Sequence, residues 1–171
     1  SSGLEEPTMN VTIEQGSTGD RSYTATWTLI PVTYIDADGN QQTCTDFTII
    51  ESSESDVNLG TSGQDEWYVV SGNVTINGQL FLSGFNSHLI LCDGATLNIN
   101  HTNNADGLFS NNLIIYGQSV GNGTLTASAP WNGIHSNNGL TINGGIISAT
   151  STTTDGINAG SGNLTINRGN D

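Results

Sequence analysis

The sequence predicts an all-β protein: a right-handed parallel β-helix of about four coils, three strands per coil, with a small N-terminal β subdomain. One observation is a Leu-x-Ile or Leu-x-Leu pattern anchored at Leu89, Leu113, Leu140 and Leu164, with steps of 24, 27 and 24 residues. A second short apolar run, and a turn followed by one apolar residue, recur with it in the same order. A period in this range is typical of stacked arrays, and parallel crossovers are right-handed as a rule.

Alternation within the strands predicts which side chains fill the interior, because neighbouring side chains of a strand point to opposite faces. The residue between two interior positions, such as Ile90, is expected to face outward. One coil cannot bury its own apolar face, so each coil depends on its neighbours. The predicted interior residues on the three sides of the coil are Leu89, Leu91, Leu113, Ile115, Leu140, Ile142, Leu164 and Ile166; Leu97, Ile99, Leu125, Ala127, Ile147 and Ala149; and Leu108, Ile134 and Ile157.

Charge and composition limit the partners of the chain. Its 171 residues include 16 acids and only two basic residues, Arg21 and Arg168, so the net charge is −14. We therefore expect no nucleic-acid partner, because almost nothing neutralises phosphates, and anionic membrane surfaces are disfavoured for the same reason. No apolar stretch is long enough to cross a bilayer, so no membrane insertion is expected. No motif indicates a cofactor.

The chain divides into two predicted regions. Residues 1–64 are interpreted as N-terminal β strands and a hairpin that serve as cap and linker, and residues 65–171 as the β-helix. Apolar residues alternate with threonine over 23–29, which predicts a half-buried strand. Residues 43–50 predict a second strand, and the polar, turn-rich residues 51–64 predict the linker. The array stops partway round a coil, which predicts truncation at its C-terminal end and further domains of the same chain.

The motif Asp36-Ala-Asp38-Gly39-Asn40 lies between two alternating runs. An Asp-Gly pair in this setting predicts a β-hairpin turn. The same residues begin like a calcium-binding loop, which makes Asp36, Asp38 and Asn40 a weak calcium candidate. However, the glutamate that such a loop requires at its twelfth position is replaced by Phe47. The hairpin interpretation is therefore favoured.

The chain has two cysteines, Cys44 and Cys92. A disulfide between them would tie the N-terminal region to the first full coil in an oxidising compartment. Sequence spacing alone does not decide whether the bond forms, so both states stay open. No metal-binding cysteine pattern is present.

The N-terminal region carries a short set of motifs. Residues 11–13, 16–20 and 23–27 read Val-Thr-Ile, Gly-Ser-Thr-Gly-Asp and Tyr-Thr-Ala-Thr-Trp. This segment resembles the closing end of a Listeria–Bacteroides repeat, a small β-grasp-like module that recurs in bacterial surface proteins. Only the last part of the module is present.

The array carries a second set of motifs, which are apolar runs separated by turns rich in glycine and asparagine. They lie at 67–70, 74–76, 88–94, 113–118 and 121–125. Residues 65–171 are similar to repeat regions in surface proteins of gut bacteria, which form right-handed parallel β-helices. The resemblance implies an extracellular protein, on the bacterial surface or secreted, with a binding or adhesive role. It carries no catalytic motif onto this chain.

The outward face of the third side is the candidate ligand-binding surface. Phe109, His135 and Asn158 each follow an interior residue and are expected to stack one above another. Trp131 lies in the turn before His135, and Asp155 lies at the equivalent turn of the next coil. Exposed aromatic rings beside amide and carboxylate groups suit sugar recognition. The alternative is that Trp131 and Phe109 fold over the coil corner and pack there.

Enzymatic chemistry finds little support in the residues. Parallel β-helices include polysaccharide lyases and hydrolases, but fold alone does not establish an activity. Glycoside hydrolysis needs two paired carboxylates. Asp155 occupies the turn equivalent to that of Asp106 in another coil, and the preference of turns for aspartate explains both residues. His88, His101 and His135 lack the spacing of a metal site. We assign no catalytic residue and no metal site.

The expected function is that of a non-enzymatic binding or adhesin module that contacts a glycan or a host surface protein. A passive stalk that holds other domains away from the cell is the first alternative. A polysaccharide-active lyase or hydrolase is the second alternative.

Overall fold

The computed structural model describes residues 30–167, which form strands and turns without any helix. The fold is the predicted all-β, right-handed parallel β-helix, with about five turns rather than about four. The predicted strand at 23–29, the resemblance at 11–27 and both arginines lie outside the described residues. In the described part, no helix is long and apolar enough to cross a membrane.

The described residues contain seventeen strands. In chain order they are β1 Val32–Ile35, β2 Gln41–Cys44, β3 Thr48–Ile49, β4 Val57–Leu59, β5 Asp65–Val70, β6 Asn73–Ile76, β7 Leu80–Leu82, β8 Asn86–Leu91, β9 Thr96–Asn100, β10 Leu108–Ser110, β11 Leu113–Gly117, β12 Thr124–Ala129, β13 Ile134–Ser136, β14 Leu140–Ile142, β15 Ile146–Ser151, β16 Ile157–Asn158 and β17 Leu164–Ile166.

The strands assemble into three parallel sheets and one separate hairpin. The first side contains β3, β5, β8, β11, β14 and β17, and the second side contains β6, β9, β12 and β15. The third side contains β4, β7, β10, β13 and β16. Strands β1 and β2 pair with each other in antiparallel orientation. Each side therefore gains one strand per turn, as the repeat predicts.

The first turn begins earlier than the predicted boundary at residue 65. Strand β3 pairs with β5, Ser53 forms an isolated bridge with Ile76, and β4 pairs with β7, all in parallel. Residues 51–64, interpreted as a linker, thus belong to the first turn. The predicted strand at 43–50 is interrupted: its first half completes the hairpin and its second half enters the first side. These strands have two or three residues, too few to show a pattern.

The interior of the helix holds the side chains that alternation predicts. Leucine and isoleucine from all three sides form one continuous buried cluster. Its fully buried members include Leu89, Leu91, Leu97, Ile99, Leu108, Leu113, Ile115, Leu125, Ala127, Ile134 and Leu140. Leu164 and Ile166 belong to the last described turn and are 46% and 64% exposed, because no described turn lies above them.

The predicted register of the first side is wrong at one step. Leu113 pairs with Leu140 as expected, but it pairs with Ser87 on the other side, and Ile115 rather than Leu113 pairs with Leu89. The error is two residues, so the inward and outward faces are unchanged. It arises because β8 begins at Asn86, before the Leu-x-Leu pattern that served as anchor.

The β1–β2 hairpin covers part of the outer surface of the first side. The cluster beneath it, called the outer cluster, contains Cys44, Val69, Ile90 and Tyr116 as its buried members. Ile90 points outward, as expected, but it is fully buried because this cluster encloses it. Gln118 Nε2 donates to the carbonyl oxygen of Thr33 at 2.9 Å and fixes the hairpin to the helix.

The hairpin turn explains the Asp-x-Asp-Gly-Asn motif. One carboxylate oxygen of Asp36 accepts from the backbone N of Asp38 at 3.0 Å and of Asn40 at 2.8 Å, and the other accepts from Gln42 Nε2 at 2.8 Å. Gly39 has a φ of 82°, which glycine adopts readily. The hairpin prediction is confirmed. Among residues 30–167, no three His, Cys, Asp or Glu side chains are grouped so that they could hold a metal ion.

The cysteines are free thiols in this structure, so the disulfide that the sequence left open is not formed. Cys44 is buried in the outer cluster, and its Sγ lies 3.3 Å from the carbonyl oxygen of Asp46. Cys92 is half-buried and packs against both the interior and the outer cluster. Burial raises the pKa of both thiols, which disfavours the reactive thiolate.

Aromatic stacking holds the hairpin on the first side. The rings of Trp67 and His88 lie parallel with centroids 4.2 Å apart, and Tyr34 of the hairpin packs on Trp67 at 5.0 Å. His88 Nδ1 lies 3.0 Å from the hydroxyl oxygen of Tyr116. Burial lowers the pKa of His88, and the negative charge of Asp65 opposes that change.

We expect the stability of the protein to fall as the pH drops from about 7 to about 5, in part through His88. Its pKa in the folded state lies below the ordinary value of 6.5, so the unfolded chain takes up the proton first and unfolding becomes easier. The variant His88→Gln cannot titrate. The melting temperature of the wild type should therefore exceed that of His88→Gln by less and less as the pH falls across this range. A difference that stays constant would contradict the burial of His88.

Candidate ligand-binding site

A column of side chains runs along the outward face of the third side. Strand pairing places Asn58, Phe81, Phe109, His135 and Asn158 at the same position of five successive turns. The predicted stacking of Phe109, His135 and Asn158 is confirmed. The column also contains Asn58 and Phe81, which are not among the predicted site residues.

The two phenylalanines of this column form a stacked pair. The ring centroids of Phe81 and Phe109 are 4.9 Å apart with an interplanar angle of 13°, so one face of each ring covers the other. His135 meets Phe109 edge to face, with centroids 5.1 Å apart. The repetition of Leu80-Phe81 in Leu108-Phe109 was the available signal for Phe81. It was missed because Gln79, not an Asp-Gly turn, precedes Leu80.

A groove of about 460 Å³ lies beside this pair. Its lining comes from four successive turns, so the groove follows the helix axis over three inter-strand steps, or roughly 14 Å. Phe85, in the corner between β7 and β8, is 57% exposed and is the most accessible ring of the lining. The lining residues are Ser62, Gly63, Phe81, Leu82, Ser83, Gly84, Phe85, Phe109, Asn111 and Asn137.

Two asparagines supply the amide groups of the groove, and they differ in their bonding. Asn111 is held on both sides: its Nδ2 donates to the carbonyl oxygen of Phe85 at 3.1 Å, and its Oδ1 accepts from Asn138 Nδ2 at 2.6 Å. The Asn137 amide makes no side-chain hydrogen bond within residues 30–167. An amide has two donor hydrogens and an accepting oxygen, so Asn137 can donate a hydrogen bond to a hydroxyl group or accept one from it.

A buried carboxylate supports the column next to the groove. Asp106 Oδ1 accepts from the backbone N of Asn132 at 3.0 Å and from its Nδ2 at 2.7 Å. Asp106 Oδ2 lies 2.9 Å from His135 Nδ1. The hydrogen-bond network therefore assigns a proton to Nδ1, between the ring and the carboxylate. Asp106 thus engages both oxygens with protein groups and is buried.

The structure separates the predicted site residues into two groups. Phe109 lines the groove, and His135 and Asn158 continue the column beyond it. Trp131 and Asp155 lie at the opposite end of the strands, in the turns before β13 and β16, and do not line the groove. Trp131 is 49% exposed, so it does not pack fully over the coil corner. Asp155 is exposed, and Asn158 Nδ2 donates to its Oδ2 at 3.4 Å.

Comparison of the chain with protein-family models, with curated proteins and with solved structures finds no match. The chemistry of the site therefore follows from its own geometry. Accessible aromatic carbon beside an unengaged amide suits a ligand that carries both C–H surface and hydroxyl groups. Sugars combine these two kinds of surface.

Proposed function

We propose that this protein is an extracellular, non-enzymatic binding module that holds a glycan in the third-side groove. The observation that carries the proposal is the accessible ring of Phe85 in the same groove as the unengaged amide of Asn137. The groove volume of about 460 Å³ falls within the range of small-ligand sites. The extracellular setting follows from the resemblance of the array to repeats of bacterial surface proteins.

The size of the groove favours a glycan over a host protein. A stable protein–protein interface buries roughly 800 Å² on each partner, which needs a broad complementary surface. This groove is roughly 14 Å long and is confined to one corner of the helix. A narrow groove of that kind suits an oligosaccharide chain that lies along it.

The polar groups around the groove support binding rather than cleavage. Glycoside hydrolysis needs two carboxylates on either side of the scissile bond. No carboxylate is among the residues that line the groove. A passive stalk needs only the stacked coils, so it gives no reason for an aromatic groove.

We expect Phe85→Ala to weaken glycan binding about tenfold, which corresponds to about 1.4 kcal/mol. The change removes the most exposed ring of the groove and leaves the interior of the helix intact. Asn137→Ala should weaken binding by a similar factor, because it removes the donors and the acceptor for sugar hydroxyls. A glycan array identifies the ligand, and calorimetry then measures the affinity of each variant.

Trp131→Ala is the matched control, since Trp131 is an exposed aromatic residue of the third side that does not line the groove. This variant should bind as wild type does. Loss of binding in Trp131→Ala but not in Phe85→Ala would move the site to the turns before β13 and β16. Absence of binding to any glycan would favour the stalk, and release of reducing ends or unsaturated products would favour an enzyme.

A further inference from the structure

The groove has a carboxylate beside its wall near the N-terminal end of the helix. Glu66 lies next to Gly84 of the lining: a methyl group at Gly84 would be 3.2 Å from Cγ of Glu66. One oxygen of Glu66 accepts from the backbone N of Thr61 at 3.0 Å, which holds the charge at this place. The neighbouring Asp65 accepts from Asn86 Nδ2 at 2.8 Å at the same corner.

A second carboxylate stands beyond the other end of the stacked pair. The His135 ring contacts Phe109, and Nδ1 of that ring lies 2.9 Å from Oδ2 of Asp106. The aromatic surface therefore has the charge of Glu66 near one end and the Asp106–His135 pair at the other. Arginine and lysine are absent from residues 30–167, and the whole chain carries a net charge of −14. Charges of one sign along a cleft repel ligands of that sign.

The corner residues of the groove recur along the axis. Phe85, Asn111 and Asn137 each lie in the loop that joins the third side to the first side, on three successive turns. Turns of the helix are about 4.8 Å apart, so an extended ligand parallel to the axis meets one of these side chains at each step. Rings and amides contribute no charge of their own to this recognition.

We infer that the ligand is a glycan without carboxylate or sulfate groups that lies along the helix axis, and that the groove rejects glycans that carry such groups. This inference rests on the proposed function of the groove. An anionic group placed there would lie near Glu66 without an arginine or lysine of the described residues to pair with it. Like charges brought together in a binding site lower affinity strongly.

The test uses glycans in matched forms on one array: oligogalacturonates and their carboxyl-reduced products, and sialylated glycans and their desialylated cores. Calorimetry then measures the affinities of the strongest binder and its partner form. We expect the uncharged form to bind at least about tenfold more tightly than the anionic form. Its affinity should change less than about twofold with added salt, because screening acts on charge.

The variant Glu66→Gln supplies an independent test. It keeps the oxygen that accepts from Thr61 and removes the charge beside Gly84. We expect the affinity for an anionic form to rise about threefold or more, as one nearby like charge is lost, with the uncharged form unaffected. Asp155→Asn is the matched control, since Asp155 is exposed and does not line the groove.

The outcomes separate this inference from the proposed function. Binding to no glycan overturns the proposed function and the inference with it. Equal or tighter binding of an anionic form leaves a glycan-binding groove but overturns the rejection of anionic groups. An unchanged ratio of affinities in Glu66→Gln overturns the electrostatic argument as well.

Discussion

Replacing Leu113 with alanine is expected to lower the free energy of unfolding by about 2–5 kcal/mol. Leu113 lies on the first side in the middle of the stack, fully buried, with turns above and below it. The shorter side chain removes apolar contacts and leaves a cavity that the stacked turns cannot close without shifting their registers. Urea denaturation followed by circular dichroism measures the change.

Leu164→Ala is the control for this prediction because the substitution and the position in the turn are the same. Leu164 stands one turn beyond Leu140 in the column that begins at Leu113, but it is 46% exposed. Its truncation is expected to cost well under half as much, since less apolar surface returns to water. Equal losses in the two variants would mean that Leu164 is covered in solution, contrary to its exposure here.

The sequence predicts the stacked architecture well because the architecture follows from side-chain alternation. Leu89 and Leu91 point inward whichever turn they pair with, since strands have a period of two residues. Register depends instead on how many residues each corner holds, and corners carry no periodic signal. For this reason Leu113 was paired with the wrong residue, although its face was right.

The groove depends on the same unpredictable corners. Phe109 was predicted to face outward because it follows an interior leucine within a strand. Phe85 lies outside any strand, in a corner loop, so alternation says nothing about its direction. Phe85 and Asn137 line one groove although they lie two turns apart, and this depends on how corners of different length stack. The predicted site residues came from strands and turn motifs, so they include Phe109 but not Phe85.

Burial also depends on contacts that local pattern does not encode. Ile90 occupies an outward position, and only the packing of the β1–β2 hairpin encloses it. Asp106 and Asp155 occupy equivalent turns of different coils, and a glycine follows each of them, so their local sequences look alike. The structure makes Asp106 a buried acceptor and leaves Asp155 exposed, because Asn132 and His135 surround only the former.

Asp106→Ala is consequently expected to lower the free energy of unfolding by about 3 kcal/mol. The variant leaves the backbone N and the Nδ2 of Asn132 without their acceptor, and Asn132 is itself buried. A buried donor that loses its partner costs about 1–3 kcal/mol, so two such donors account for the estimate. His135 is partly exposed and can turn to water, so it adds less. Thermal and urea denaturation both measure the loss.

Two further variants decide whether the hydrogen bonds cause this loss. Asp106→Asn keeps the shape and one accepting oxygen, so it should fall between wild type and Asp106→Ala. Asp155→Ala removes the equivalent turn residue from an exposed position, and its effect should be too small to resolve. A loss in Asp155→Ala as large as that in Asp106→Ala would attribute the effect to the turn itself. The predicted order instead ties stability to the acceptor that Asp106 provides for the two buried donors of Asn132.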